Sequence, residues 1–170
     1  VIFRRKRPVH DAEQERMFTQ TRGKKQRIEK IDAAVVLIED NTPIRESLKA
    51  LLESWGATVI SAEKCTETLT QKIQDSPRID AVISDFNVGE AEANGLECIL
   101  RLSLARGVRL PAILLTAVPS EVIETHYVRT LRVLGEREAA LFAMPRIMQK
   151  PVSGEALNEA LRELSEEKNR

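Results

Sequence analysis

Four short strand-like runs in this chain each end on a residue that can do chemistry. The run Ala34–Ile38 ends in Glu39-Asp40, Ala81–Ser84 ends at Asp85, Ala112–Leu115 ends at Thr116, and Arg146–Gln149 ends at Lys150. Three carboxylates brought together repel one another, and they need a divalent cation to stay ionised side by side. A hard cation bound by carboxylate and carbonyl oxygens is magnesium or one of its mimics. The ammonium and the hydroxyl supply a positive charge and a hydrogen-bond donor suited to a phosphoryl group. The implied chemistry is attack by one carboxylate on phosphorus to give an acyl phosphate, with metal and ammonium offsetting the charge.

Such a site forms only if the runs end at one edge of a sheet. Helical periodicity follows the first run, over residues 43–54, through Ile44, Leu48, Leu51 and Leu52. Thr42 is read as its cap and Pro43 fits its first position, while Gly56 ends it. Residues 57–62 read as a second strand and 64–75 as a helix. Further helices are expected over 95–104, 120–134 and 153–166, the last with Ala156, Leu157, Ala160, Leu161 and Leu164 on one face. Five strands alternating with five helices predict an α/β fold, a parallel sheet covered on both sides. The first, third and fourth strands are apolar throughout and read as central, the second as an edge. Sites in open parallel sheets form at the carboxyl ends of strands, where all these residues fall.

The arrangement resembles the response-regulator receiver family of two-component signalling. The resemblance covers residues 33–166, about four-fifths of the chain. It rests on Leu37-Ile38-Glu39-Asp40-Asn41, Ile83-Ser84-Asp85-Phe86-Asn87, Asn94-Gly95-Leu96-Glu97, Ile113-Leu114-Leu115-Thr116-Ala117 and Gln149-Lys150-Pro151-Val152, in that order. It implies a flavodoxin-like, doubly wound five-stranded sheet of order 2-1-3-4-5. Asp85 would be the phosphoacceptor. Glu39, Asp40 and Asp85, with the backbone carbonyl of Asn87, would hold Mg2+. Thr116 would hydrogen-bond the phosphoryl oxygen, Lys150 would pair with it, and Lys150-Pro151 would be cis. The implied donor is a histidine kinase or histidine phosphotransfer protein, and a homodimer is a further expectation. The wording of these motifs looks most like the carboxy-terminal receiver of a hybrid sensor histidine kinase. The chain itself is then a signalling receiver and not a classical enzyme.

Several features depart from the family pattern. The loop after Asp85 lacks the usual Met-Pro step and carries Glu90 and Glu92, read as solvated. The interval from Thr116 to Lys150 is about a dozen residues longer than usual, and the extra segment, between Leu134 and Pro145, reads as another helical turn or two. Ile147 stands where many members place an aromatic switch residue, and Tyr127 is not its equivalent. These departures motivate a second function class, a pseudo-receiver that keeps the fold as an interaction module and never takes phosphate. A magnesium-dependent phosphatase with an aspartyl nucleophile needs an acid two residues beyond it, where this chain has Asn87. His10 and His126 lack the helical-hairpin context of a relay histidine and read as surface residues.

Composition sets the outer limits. At 42% hydrophobic residues the chain can fill a core, and at 4% aromatics it offers little for stacking against bases. Residues 1–32 carry ten Lys/Arg against five Asp/Glu, while the whole chain is neutral, so a basic segment precedes an acidic body. Residues 1–32 are read as a basic linker or arm, possible end of a preceding kinase domain, with a polar helix over 11–30. Residues 33–166 are the receiver and 167–170 a charged tail. No nucleic-acid contact is expected, because the arm has no reading helix or stacking aromatics. No apolar run approaches the ~20 residues of a membrane span. Cys65 and Cys98 have no metal-like spacing, and a reduced, cytoplasmic setting is expected.

Overall fold

The computed structural model describes residues 28–87 and 94–168. The basic cluster of residues 3–8, His10, most of the expected 11–30 helix, Glu90 and Glu92, and the last two residues of the tail lie outside the described residues. Residues 28–30, at the end of that expected helix, are not helical.

Five strands form one parallel sheet: β1 (Ala34–Ile38), β2 (Thr58–Ala62), β3 (Ala81–Asp85), β4 (Ala112–Thr116) and β5 (Arg146–Gln149), in the order β2-β1-β3-β4-β5. The expected α/β architecture and strand order are therefore observed. The central strands are apolar on both faces because both faces are covered. Along β1, Val36 and Ile38 join one core, while Val35 and Leu37 join the other. The same alternation runs through β4, with Leu114 on the first side and Ile113 and Leu115 on the second. Ile83, Ile113 and Leu114 have no exposed surface, and burying each such side chain contributes roughly 1.5–3 kcal/mol.

The helices are α1 (Thr42–Ser54), α2 (Glu67–Asp75), α3 (Gly95–Arg106), α4 (Ser120–Val133), α5 (Glu136–Ala140) and α6 (Gly154–Lys168). Leu52 of α1 and Leu157, Ala160 and Leu161 of α6 close the second core. Leu69 and Ile73 of α2, Leu96 and Ile99 of α3, and Ile123 of α4 close the first. The cap of α1 is Asn41 rather than Thr42: its side chain is the acceptor for the Ile44 N–H at 3.1 Å, which makes Thr42 the first helical residue. Thr66 caps α2 in the same way, so that helix starts three residues later than its periodicity suggested. The short α5 occupies the expected extra segment.

Packing onto this body starts ahead of β1. Ile31 is buried and its N–H donates to the Trp55 carbonyl at 2.8 Å. The Asn158 amide donates to the Glu29 carbonyl at 3.1 Å, and Arg162 pairs with the Glu29 carboxylate at 3.3 Å. Gly56 makes this approach possible, since a Cβ there would lie 3.1 Å from the Ile31 oxygen and its φ is +105°. No helix among the described residues is long and apolar enough to cross a membrane.

Candidate functional site

The carboxyl ends of β1, β3, β4 and β5 place Glu39, Asp40, Asp85, Thr116 and Lys150 along one edge of the sheet. Carboxylate oxygens of Glu39, Asp40 and Asp85 lie within 4.8 Å of one another. The Lys150 ammonium stands 3.2 Å from Asp85 Oδ2 and 3.6 Å from Glu39 Oε2. Glu39, Asp40, Asp85 and Lys150, from three separate strand ends, are thus brought together, and Thr116 stands at the same edge of the sheet.

Their surroundings differ. Glu39 is 2% exposed, Asp40 is exposed, and the Asp85 side chain is 13% exposed. Glu39 Oε1 accepts the Asn41 N–H at 3.1 Å, whereas the buried Oε2 has no hydrogen-bond partner among the described residues, the Lys150 ammonium standing beyond hydrogen-bond reach at 3.6 Å. A buried carboxylate oxygen without a donor is costly unless a cation meets it. Burial is the main influence on Glu39 and raises its pKa above the ordinary carboxylate value. The Asn41 N–H and the Lys150 charge pull it back, while Asp85 and Asp40 push it further up. The donor set of three carboxylates with one orphaned oxygen fits a hard divalent cation.

The frame holding these groups is made of backbone contacts. Lys150 N–H donates to the Thr116 carbonyl at 2.8 Å, which ties the two strand ends together. Asp85 Oδ1 accepts the Asn87 N–H at 3.4 Å. Thr116 is fully buried, and its Oγ1 accepts the Val118 N–H at 2.9 Å, leaving the hydroxyl proton to donate elsewhere. The Lys150-Pro151 peptide bond is cis, as the resemblance implied. At the start of α3, Gly95 N–H donates to the Phe86 carbonyl at 2.8 Å, and a Cβ on Gly95 would come within 2.3 Å of the Asp85 oxygen. Glycine is required there by that close approach.

Two contacts were not read from the sequence. Arg45, one turn into α1, donates from Nη1 to the Glu39 carbonyl at 2.6 Å and from Nη2 to Thr42 Oγ1 at 3.2 Å. Its signal was its place in the first turn of a helix that begins at the site. His126 is not a free surface group: its ring meets Phe86 edge-on at 5.4 Å, and Phe86 follows Asp85 directly. Ile147 packs against the first core, to which Tyr127 and Phe142 also contribute. The Tyr127 hydroxyl donates to the Phe142 carbonyl at 3.1 Å, so this aromatic is bound to the inserted segment.

No protein-family model matches the chain. A curated Leptolyngbya boryana protein, described as an uncharacterized 14.6 kDa protein in the sodA1 3' region, is 34% identical over 88 residues. That match takes in 51% of this chain and 64% of the relative, so the chain spans less than two thirds of that protein's length. Among solved structures, a response regulator receiver domain protein from Clostridium thermocellum aligns with a TM-score of 0.59 at 22% identity, covering 81% of this chain and 97% of that one. A CheY-like receiver domain protein from Methanospirillum hungatei aligns at 0.63 and 21%, covering 82% and 98%. A Vibrio cholerae chemotaxis protein aligns at 0.60 and 22%, covering 79% and 99%. The chain has the receiver-domain fold. In this receiver-like chain the acidic cluster lies at the carboxyl edge of the sheet, where ligand sites of such folds form.

Proposed function

We propose that this chain is a phosphoacceptor receiver domain of a two-component phosphorelay, with Asp85 as the acceptor. The observation that carries this reading is the convergence of the Glu39, Asp40 and Asp85 carboxylates beside the Lys150 ammonium, 3.2 Å from Asp85. A phosphohistidine on a histidine kinase or histidine phosphotransfer protein is the donor. An Asp85 carboxylate oxygen attacks phosphorus, the P–N bond breaks, and its electron pair returns to the imidazole. Lys150 offsets charge on the transferred group, and the Thr116 hydroxyl donates to one of its oxygens. Glu39, Asp40, Asp85 and the Asn87 carbonyl are the groups that would hold Mg2+. When bound, the ion supplies the positive charge that lets the carboxylates stay ionised together and face an anionic phosphoryl group.

The acyl phosphate carries nearly two negative charges where the Asp85 carboxylate carried one, beside the carboxylates of Glu39 and Asp40. That change is what shifts the population of the loop after β4 and alters the surface a partner reads. The closeness of the motifs to hybrid-kinase receivers supports a parent histidine kinase acting in the cytoplasm, with the basic lead segment as the connecting arm; the receiver body itself takes in Glu29 and Ile31 at the front and the last helix to Lys168, beyond the 33–166 expected.

The test is intact-protein mass after incubation with Mg2+ and a small phosphodonor, beside an Asp85→Asn control. A gain of one phosphoryl mass in the wild type alone is expected. No gain in a protein that binds Mg2+ would overturn the acceptor reading and leave an interaction module with a receiver fold.

A further inference from the structure

The turn that carries Glu39 and Asp40 is held from two sides. On its amide side, Glu39 N–H donates to the Ala62 carbonyl of β2 at 3.1 Å. On its carbonyl side, the Arg45 guanidinium donates to the Glu39 oxygen at 2.6 Å and reaches the Asp40 oxygen at 3.5 Å. The same guanidinium is oriented by Thr42 Oγ1 at 3.2 Å. Arg45 itself is set by the first backbone bond of α1, from its N–H to the Asn41 carbonyl at 2.8 Å. A guanidinium bound to a carbonyl makes a strong, directional, charge-assisted hydrogen bond. Its planar fork can meet several acceptors in one geometry, which an ammonium cannot do.

We propose that Arg45 is a positioning residue for divalent-cation binding. It fixes the main chain at Glu39 and Asp40, so that both carboxylates face the cation instead of relaxing apart under their mutual repulsion. The proposal rests on the metal-dependent reading given above and extends it to a residue outside the carboxylate set. Nothing in the role requires Arg45 to touch the ion or the phosphoryl group.

The sign of the effect separates this role from simple electrostatics. A fixed positive charge close to a cation site weakens cation binding. If Arg45 acted through charge alone, its removal would tighten Mg2+ binding. If it acts by holding the turn, its removal loosens binding, by about tenfold on the scale usual for residues that orient metal ligands.

The experiment is calorimetric titration of the full chain with Mg2+ alone, for wild type, Arg45→Met and Arg45→Lys, each with a metal-free thermal melt. Arg45→Met is expected to bind about tenfold more weakly while its metal-free melting point stays close to that of the wild type. Recovery in Arg45→Lys supports a hold through the single 2.6 Å contact to Glu39; equal weakness supports a hold that needs the fork. Binding by Arg45→Met that is unchanged or tighter overturns the proposal. So does weaker binding that comes with a matching fall in the metal-free melt, which would report general loosening of the fold. Failure of the wild type itself to bind Mg2+ overturns the metal-dependent reading, and this proposal with it.

Discussion

The ammonium of Lys150 lies 3.2 Å from Oδ2 of Asp85, at the junction of two strands that are not neighbours in the sheet. Strand β4 separates β3 from β5, and the Thr116 carbonyl holds the Lys150 N–H at 2.8 Å. The lysine therefore reaches across β4 to meet the proposed acceptor, and it also stands 3.6 Å from Glu39.

Lys150→Met removes that charge while keeping much of the aliphatic stem. Phosphoryl incorporation is expected to slow by about a hundredfold, the scale seen when one preorganised group that meets developing charge is deleted. Mg2+ affinity should hold or rise, because a competing cation has gone. A time course of intact mass, with a Mg2+ titration beside it, checks both. An unchanged rate would remove Lys150 from the chemistry.

Glu39 makes the metal-free protein pH-sensitive. Its folded pKa is raised, chiefly by burial, so the folded state holds this proton more tightly than the unfolded chain does. Stability contributed by the protonated form is therefore present below the unfolded value, roughly 4.3, and is lost as pH rises through the folded value. In the presence of a chelator, Glu39→Gln is expected to be more stable than the wild type at neutral pH, and the gap should shrink as pH falls through the raised folded value and be closed by about 4. Adding Mg2+ should reverse the order. Ligand at a hundred times its dissociation constant stabilises by about 2.7 kcal/mol, and the glutamine variant should gain far less. Denaturant midpoints at several pH values, with and without Mg2+, provide the check. A Glu39→Gln protein less stable than the wild type at neutral pH without metal would contradict the burial argument.

The sheet was legible because its central strands need apolar residues on both faces. Runs such as Ala34–Ile38 and Ala112–Leu115 can hardly be read otherwise. The site was legible because a parallel sheet puts all strand ends at one edge, so residues from four stretches far apart in sequence had to line that edge. What stayed hidden was side-chain reach. Neither Arg45 turning back to the Glu39 carbonyl nor His126 meeting Phe86 has a periodicity, since both depend on the crossing of a helix over a strand end. The cap of α1 was misplaced by one residue because Asn41 and Thr42 are both good caps, and only backbone geometry chooses between them.

Gly95 links the phosphoacceptor strand to α3 without any chemistry of its own. A Cβ at this position would sit 2.3 Å from the Asp85 oxygen and 3.0 Å from Phe86 Cα, both of them backbone atoms that cannot swing aside. Gly95→Ala must move α3 or the end of β3. The expected loss is about 1–3 kcal/mol, the usual cost of overpacking. Because the displaced atom belongs to Asp85, Mg2+ affinity should fall as well. Thermal melting and a Mg2+ titration together test this. A variant with lower stability and unchanged metal affinity would show that the strain is absorbed by α3 alone.

The inserted segment is expected to fold as part of the body. Phe142 is only 3% exposed, its ring centre lies 4.9 Å from that of Tyr127 on α4, and its carbonyl accepts the Tyr127 hydroxyl. Phe142→Ala should cost about 3–5 kcal/mol, as for other buried aromatics cut to alanine. Tyr127→Phe should cost about 1 kcal/mol, the net worth of one hydrogen bond, because the ring contact survives. Both variants should keep Mg2+ affinity, since among the described residues no contact of this cluster involves the carboxylates. Urea midpoints with an unchanged denaturant slope would confirm that the loss is in stability and not in the compactness of either state. A Phe142→Ala protein as stable as the wild type would mean that α5 is an appendage on the receiver body, and its contact with Tyr127 would then carry no part of the fold.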